Sequence, residues 1–377
     1  MMLYRIVPLL LILPAAVWLY FFLSRSMGVF WHRSVVFRRL VAGVAAVLLA
    51  LPVRQIFGLY AAVLLHVFAV GIVLDLLFFF LKRRWKRNGR SRAVLTAAYQ
   101  SGAMTLALTA LIFGYAWFNM HRIIRTDYTV YTEKAIREEG YRVAFLSDLH
   151  YPTTMNQEKL EKVCRRITEE EPDLVILGGD IVDERSSFTE VEEAFQTLAG
   201  IESKFGIFYV YGNHDRGWYS ADCDFTDAEL ATAITESGIH ILQDQTEVIT
   251  NELTVSGRED RSAAGYRQGG RKSPQELLTG MSGEMFHIVA DHQPRNFEEI
   301  REAGFDLMLS GHTHGGQMWP VGPITELSDP GTINYGHEEE GTLDVIVSSG
   351  IAGWGYAFRT GKHSEYVIVE ILPGESS

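Results

Sequence analysis

The chain is poor in cysteine, and its first third is almost free of acidic residues. Only Cys164 and Cys223 occur among 377 residues, and two cysteines form one disulfide or none, so they indicate neither a redox compartment nor a metal site. Residues 1–126 contain Asp75 as their single acid beside 15 Lys and Arg, whereas the remainder carries a balance of −26. Because the basic residues punctuate long apolar runs, the pattern argues against a nucleic-acid partner and favours a membrane.

Four apolar stretches in this first third are long enough to be considered as membrane spans. They cover about residues 6–23, 35–53, 55–81 and 93–118, and a bilayer core requires about 20 apolar residues in a helix. Four spans place both strongly basic loops, 24–39 and 82–92, in the cytoplasm. We therefore expect a transmembrane region over residues 1–120 and a chain that emerges outside the cytoplasm. The alternative for residues 1–23, a cleaved signal peptide, lacks a recognisable small-x-small cleavage site.

Two ionisable residues fall inside the apolar stretches. His66 and Asp75 are candidates for function at membrane depth, since charge there is costly. Asp75 could equally pair with the basic residues at 82–87. A transporter regulated by its soluble part would depend on these two residues alone.

From Tyr141 onward the pattern changes to short strands that alternate with amphipathic helices. Helical patterns cover about residues 156–170, 189–200, 226–237, 273–280 and 295–303. This alternation predicts a layered α/β domain over 141–377, with a linker over 121–140. The apolar runs 344–348 and 365–371 are expected to be late strands of a second sheet. Residues 257–272 resemble a mobile insertion with no packed core.

Five of the predicted strands are followed at once by residues that bind metals. The runs ending near residues 147, 177, 211, 290 and 310 lead into segments that contain Asp148, His150, Asp180, Asp183, Asn213, His214, Asp215, His292, His312 and His314. Loops at the carboxyl ends of strands hold active groups in such domains. A single residue of this kind is more often a turn or cap residue, but five coincidences point to one site. Carboxylate, imidazole and amide oxygen suit Mn²⁺, Fe, Zn²⁺ or Ni²⁺.

In this order, the motifs D-x-H, G-D-x-x-D, G-N-H-D, a lone His and G-H-x-H resemble those of the calcineurin-like metallophosphoesterase superfamily, and the spans resemble its multispan transmembrane members. The resemblance implies a four-layer α/β/β/α sandwich that follows a transmembrane bundle of about four helices. It also implies two divalent metal ions, one held by Asp148, His150, Asp180 and His314. The other would be held by Asp180, Asn213, His292 and His312, so that Asp180 bridges the pair.

The same resemblance implies catalytic roles for two further residues. His214 would face the phosphate and protonate the leaving oxygen, and Asp215 would orient His214. Asp183 is outside the implied ligand set. Arg359 could contact a substrate anion, although a surface arginine is the more ordinary interpretation.

The leading hypothesis is a membrane-anchored phosphoesterase that uses a metal-activated hydroxide on a phosphoester or pyrophosphate bond, with a lipid-linked or cell-envelope substrate. A UDP-2,3-diacylglucosamine-type pyrophosphatase of lipid A synthesis is one alternative. A catalytically quiet membrane receptor or scaffold is another. A phosphorylated small molecule or lipid and the membrane are the expected partners, and no obligate protein partner is inferred.

Overall fold

The computed structural model describes residues 2–31, 34–56, 58–84, 90–265 and 270–374. It divides into two compact units, Met1–Ala116 and Trp117–Ser377. In the described residues, the first unit is helical and the strands lie in the second.

The first unit is built from long apolar helices. Its helices, the last of which ends in the second unit, are α1 (Met2–Phe30), α2 (Val35–Ala50), α3 (Leu59–Arg84), α4 (Arg90–Gln100) and α5 (Ala103–His121). The described part of the chain contains four candidate spans: Leu10–Phe30, Val35–Arg54, Leu59–Leu81 and Ala103–His121. The prediction of four spans is confirmed, but the stretch 93–118 is interrupted. Gly102 adopts φ +82°, and a side chain there would collide with Phe22, so the backbone turns between α4 and α5.

Asp75 has described partners within this helical unit. It pairs with Arg25 and accepts hydrogen bonds from Trp18 Nε1 at 3.0 Å and Tyr99 Oη at 2.7 Å. The side chains at 82–87, its expected partners, lie outside the described residues. His66 Nδ1 lies 2.7 Å from the carbonyl oxygen of Ala62 one turn earlier. Pairing of this kind is how charge is accommodated at membrane depth.

The second unit contains two six-stranded sheets. The first has the order β1-β12-β2-β3-β4-β5 and the second β10-β11-β9-β8-β7-β6. The strands are β1 (Ile123–Thr132), β2 (Tyr141–Leu146), β3 (Leu174–Leu177), β4 (Ile207–Tyr209), β5 (His240–Ile241), β6 (Gln245–Val248), β7 (Leu253–Gly257), β8 (Phe286–Ala290), β9 (Leu307–Ser310), β10 (Gly336–Glu340), β11 (Leu343–Val347) and β12 (Ser364–Pro373).

Helices cover the outer face of each sheet, which gives the expected four layers. The helices are α6 (Gln157–Thr168), α7 (Phe188–Leu198), α8 (Asp227–Glu236), α9 (Pro274–Leu277), α10 (Phe297–Ala303) and α11 (Val321–Ser328). Alternation along β2 shows the layering, because Val143 and Phe145 face the core between the sheets while Ala144 and Leu146 face α6 and α7. The predicted fold class is confirmed.

Two expectations about the sheets are wrong. Residues 123–132, assigned to a linker, form the edge strand β1, which pairs in parallel with β12 along its whole length. Residues 365–371, expected in the second sheet, form part of β12 in the first sheet, between β1 and β2. The first error arises because β1 is half exposed and weakly apolar, so nothing local marks it as a strand. The second arises because the sheet to which β12 belongs depends on its pairing with the distant β1 and β2.

Candidate metal centre

The candidate ligands converge where parallel strands of both sheets end. Asp148 follows β2, Asp180 follows β3, and Asn213 follows β4, all in the first sheet. In the second sheet His292 follows β8, and the segment carrying His312 and His314 follows β9. Because the two sheets pack face to face, their carboxyl ends bring these loops together.

The backbone at the ligands is unusual. The residues with φ between 43° and 70° include Asp148, His150, Asp180, His312 and His314. Left-handed conformations are disfavoured for residues with a side chain, and they cluster at functional sites where surrounding structure enforces them. The motif glycines permit this packing: a Cβ at Gly212 would lie 2.1 Å from Asp180 Oδ1, and one at Gly311 would lie 2.3 Å from Asp148 Oδ2.

The first group consists of Asp148, His150 and His314, whose donor atoms lie within 4.8 Å of one another. His314 Nε2 is 3.6 Å from Asp148 Oδ1 and 3.3 Å from His150 Nε2. All three side chains are nearly or fully buried. Two imidazole nitrogens facing each other across such a gap, with a carboxylate beside them, suit a shared cation.

The second group consists of Asp180, His292 and His312, also with donor atoms within 4.8 Å of one another. His292 Nε2 lies 3.1 Å from Asp180 Oδ2. The same Oδ2 is 3.7 Å from His150 Nε2 in the first group. Asp180 therefore lies between the two groups, where a bridging carboxylate would be.

Two further observations fit metal binding. The buried Oδ1 of Asn213 accepts no hydrogen bond from any residue that the structure describes, which leaves this oxygen free for a cation. Burial, with the nearby His292, lowers the pKa of His312 to about 4, and burial lowers the pKa of His314 to about 3. Both imidazoles are thus neutral near pH 7, the form that binds metals.

His214 lies beside this centre, between two aromatic rings. Its ring centroid is 5.5 Å from that of His150, 5.0 Å from that of Tyr219 and 5.2 Å from that of Trp354. Burial lowers the pKa of His214, but the carboxylates of Asp180 and Glu184 raise it, with a net rise above the usual value. A raised pKa favours the protonated imidazole, the form that can deliver a proton to a leaving oxygen.

The prediction that Asp215 orients His214 is wrong. The carboxylate of Asp215 accepts four backbone N–H bonds, from Asp180, Ile181, Val182 and Gly212, at 2.6–3.1 Å. It therefore fixes the loop that carries Asp180. Burial and then the neighbouring Asp180 carboxylate raise the pKa of Asp215 to about 6.

Glu184 holds the position assigned to Asp215. Its Oε2 lies 2.9 Å from His214 Nδ1, and both side chains are largely buried. The sequence signal was present, since Glu184 directly follows Asp183 at the end of the G-D-x-x-D motif. Asp183 itself lies beside the first group, with Oδ2 3.6 Å from His150 Nδ1.

Two expectations near the site are corrected. Arg359 does not lie on the surface: its side chain is fully buried and donates to the carbonyl oxygens of Ala352 and His363. In the segment 257–272, residues 266–269 lie outside the described part of the chain. In the rest of the segment, Arg258 and Arg271 both pair with the buried Asp291. The prediction of an insertion without packing is therefore wrong for these residues.

Gln317, at the end of the G-H-T-H-G-G-Q segment, holds the loop that carries Trp354. Its amide nitrogen lies 3.2 Å from each of the carbonyl oxygens of Trp354, Tyr356 and Phe358, and its Oε1 accepts from the Trp354 N–H at 3.0 Å. The last turn of α5 packs against the same loop: Met120 is buried beside Gly353. The end of a candidate span is thus built into the wall of the site.

Several known proteins are similar to this chain. The profile of the calcineurin-like phosphoesterase family matches residues 141–316. A transmembrane protein with metallophosphoesterase domain from Danio rerio is 28% identical over 80% of this chain and 72% of its own length. A metallophosphoesterase of Helicobacter pylori is 26% identical over 72% of this chain and 70% of its own. The crystal structure of a dimetal phosphatase from Danio rerio aligns with 56% of this chain and 87% of its own at 11% identity, with a TM-score of 0.40. Residues 141–316 therefore form a calcineurin-like phosphoesterase domain with two groups of candidate metal ligands, and four candidate membrane spans precede it.

Proposed function

We propose that this protein hydrolyses a phosphoester or pyrophosphate bond in a lipid-linked or cell-envelope substrate, at a binuclear centre. The centre would take Asp148, His150, Asp180 and His314 as ligands of one ion, and Asp180, Asn213, His292 and His312 as ligands of the other. The observation that carries the proposal is the position of Asp180 Oδ2 between His292 and His150. Two divalent ions there would supply Lewis-acid activation of a phosphate and of a water molecule.

The protein's own groups would do the remaining work. His214 would donate a proton to the leaving oxygen from Nε2, because Nδ1 faces Glu184. Tyr219 and Trp354 flank the imidazole and reduce its contact with water. Glu184 would keep the ring in one orientation, as a carboxylate partner does for catalytic histidines.

The membrane origin of the substrate is supported by the last turn of α5. Asn119 Nδ2 donates to the carbonyl oxygens of Arg359 and Lys362 at 3.1 Å, and Ser364 Oγ donates to the carbonyl oxygen of Met120 at 2.8 Å. Residues 352–363 therefore connect the end of a candidate span to the ring beside His214. A phosphate at headgroup depth would be close to the site.

The catalytic domain is proposed to lie outside the cytoplasm. The proposal is supported by the charge pattern: if the basic loops are cytoplasmic, four spans would leave the chain after α5 on the outer side. Fusions of alkaline phosphatase or of green fluorescent protein to the carboxyl terminus of the full chain distinguish the sides. An active alkaline phosphatase fusion and a non-fluorescent green fluorescent protein fusion would support the proposal. An inactive phosphatase fusion and a fluorescent protein fusion would favour a cytoplasmic, nucleotide-linked lipid substrate.

The reaction is tested with the full chain in nanodiscs, stripped of metal and resupplied with Mn²⁺. Hydrolysis should be measured on a soluble bis-p-nitrophenyl phosphodiester and on a p-nitrophenyl phosphodiester that carries a hexadecyl chain. Asp180→Ala should lose both turnover and metal, whereas His214→Gln should lose turnover and keep its metal. Equal metal loss in both variants would overturn the division of roles. Absence of hydrolysis with every transition metal would favour the scaffold.

A further inference from the structure

Helix α11 exposes a row of large apolar side chains immediately after the segment that carries His312 and His314. Val321, Ile324 and Leu327 are 50%, 56% and 85% exposed, and Trp319 just before the helix is 64% exposed. We call these four residues the apolar stripe. The spacing of three puts the helical members on one side, and Glu326 lies about 160° around the helix from Ile324. Glu326 therefore points away from Ile324, and it is about 100° around the helix from Leu327.

The stripe is tied by hydrogen bonds to the end of a candidate membrane span. The Trp319 N–H donates to Thr360 Oγ1 at 2.8 Å, and the Thr360 and Gly361 N–H groups both donate to the carbonyl oxygen of Gln317 at 2.9 Å. Asn119 in the last turn of α5 binds the carbonyl oxygens on either side of this pair, those of Arg359 and Lys362. The start of the stripe is thus two hydrogen-bonded steps from Asn119, which lies two residues before the end of a candidate span.

The neighbouring last turn of α5 is itself apolar on its exposed side. Trp117 and Phe118 are 53% and 57% exposed, and tryptophan is enriched where helices cross the membrane surface. An exposed apolar row of this kind marks an interaction site. Its continuity with a span end indicates which partner covers it.

We propose that the apolar stripe inserts into the interfacial layer of the lipid bilayer, beside the end of α5. This deepens the proposed function and rests on it in one respect: the substrate phosphate is taken from lipid at that surface. Because Gln317 lies only three residues after His314 and holds the Trp354 loop, insertion of the stripe would fix the metal-ligand loop at headgroup depth. The acyl chains of the substrate would then stay in the bilayer while its phosphate reaches the two ligand groups.

The position of the stripe is measured without reference to hydrolysis. Nitroxide labels at Leu327→Cys and, as the matched control, Val248→Cys are placed in a Cys164→Ala/Cys223→Ala full chain in nanodiscs of phosphatidylcholine and phosphatidylglycerol. Val248 is a suitable control because it is 54% exposed and apolar but lies on β6 at the far edge of the second sheet. We expect the label at 327 to collide with a water-soluble nickel chelate about tenfold less often than the label at 248 and to favour oxygen, as for side chains below the headgroups.

Equal access of the nickel chelate to both labels would overturn the proposal. Dipolar broadening of the 327 label would also overturn it, because it would show that a second copy of the chain covers the stripe. If the cysteine-free background does not fold, a benzophenone side chain at 327 or 248 in the native-cysteine chain serves instead, with crosslinking to lipid at 327 alone as the expected result.

A kinetic comparison separates this inference from the proposed function. Leu327→Glu should lower hydrolysis of the vesicle-embedded hexadecyl diester about tenfold, the factor that burial of one large aliphatic side chain supplies, with little change for the soluble diester. Val248→Glu should leave both rates unchanged. Loss of both rates in Leu327→Glu would indicate a folding role and contradict the inference. If the native chain hydrolyses neither diester, the proposed function fails, while the label positions still decide whether the stripe is in lipid.

Discussion

His214 Nδ1 lies 2.9 Å from Glu184 Oε2, so the residue expected to face the substrate is oriented by a carboxylate from the loop after β3. The ring of His214 is held between those of Tyr219 and Trp354. A histidine fixed in this way presents Nε2 in a single direction, which is what proton transfer to a leaving group requires.

Glu184→Gln should lower kcat by about 10–100-fold, the usual effect of removing a carboxylate that supports a functional histidine. Metal content should be unchanged, because Glu184 contacts neither ligand group through the described hydrogen bonds. Since Glu184 raises the pKa of His214, the variant should lose activity at a lower pH on the alkaline side of the profile. The pH dependence of kcat is the measurement, and Glu247→Gln on exposed β6 is the control. An unmoved alkaline limb would refute the positioning role.

Asp215→Asn should destabilise the protein rather than act on His214 alone. The amide would turn an N–H₂ toward backbone N–H groups that now donate to the carboxylate, at a cost of about 1–3 kcal/mol for an unsatisfied buried group. Thermal unfolding should shift down by roughly 2–4 °C per kcal/mol for a domain of this size, with weaker metal retention because the Asp180 loop loosens. A large loss of kcat at an unchanged Tm would instead indicate that Asp215 orients His214.

Asp183→Asn should weaken the binding of one metal ion more than that of the other. Asp183 Oδ2 lies 3.6 Å from Nδ1 of His150, a member of the first group only. Loss of a carboxylate behind a ligand histidine costs about 10–100-fold in metal affinity. Metal content measured by mass spectrometry after dialysis against a chelator should fall from two ions per chain toward one, while exposed Asp222→Asn stays at the native value. Parallel loss of both ions would contradict a role confined to the first group.

Glu365→Gln should reduce the loss of folding stability that occurs as the pH falls into the acid range. Burial opposes ionisation of Glu365, but hydrogen bonds from His363 and Thr126 hold its pKa below the usual value. A lowered pKa in the folded state adds stability above the unfolded pKa of about 4.3, and that stability is lost as pH falls through the folded pKa. The Tm of the variant should therefore lie below the native value at pH 7 and approach it in acid.

The matched control for this comparison is Glu338→Gln, on the exposed face of β10. Its Tm should follow the native value at every pH. A Glu365→Gln deficit that persists unchanged in acid would show that packing, and not the charge of Glu365, supplies the stabilisation.

Several features could be predicted from local patterns. The strands before Asp148, Asp180 and Asn213 are short buried runs, and their ends coincide with chemically distinctive residues, so both the layers and the candidate ligands are visible in the sequence. The same holds for the spans, since an apolar run of about 20 residues has few other uses.

Other features depend on contacts between distant parts of the chain. Strand β1 was assigned to a linker because nothing within residues 123–132 indicates its pairing with β12, some 240 residues later. Arg359 was expected near the surface, yet backbone carbonyls from its own loop bury it. The partners of Asp215 are also invisible locally, because four N–H groups from two loops meet only when the sheet is formed.

The amino-acid sequence by itself determined the chemistry of this protein, because ligand types and apolar run lengths are local properties written in consecutive residues. Tertiary structure decided which carboxylate contacts His214. Asp215 is its neighbour in the sequence and Glu184 its neighbour in space, but only the side chain of Glu184 points to the imidazole. Tertiary structure also decided that the end of a span forms part of the wall of the site, because that depends on a β1–β12 pairing with no local signature.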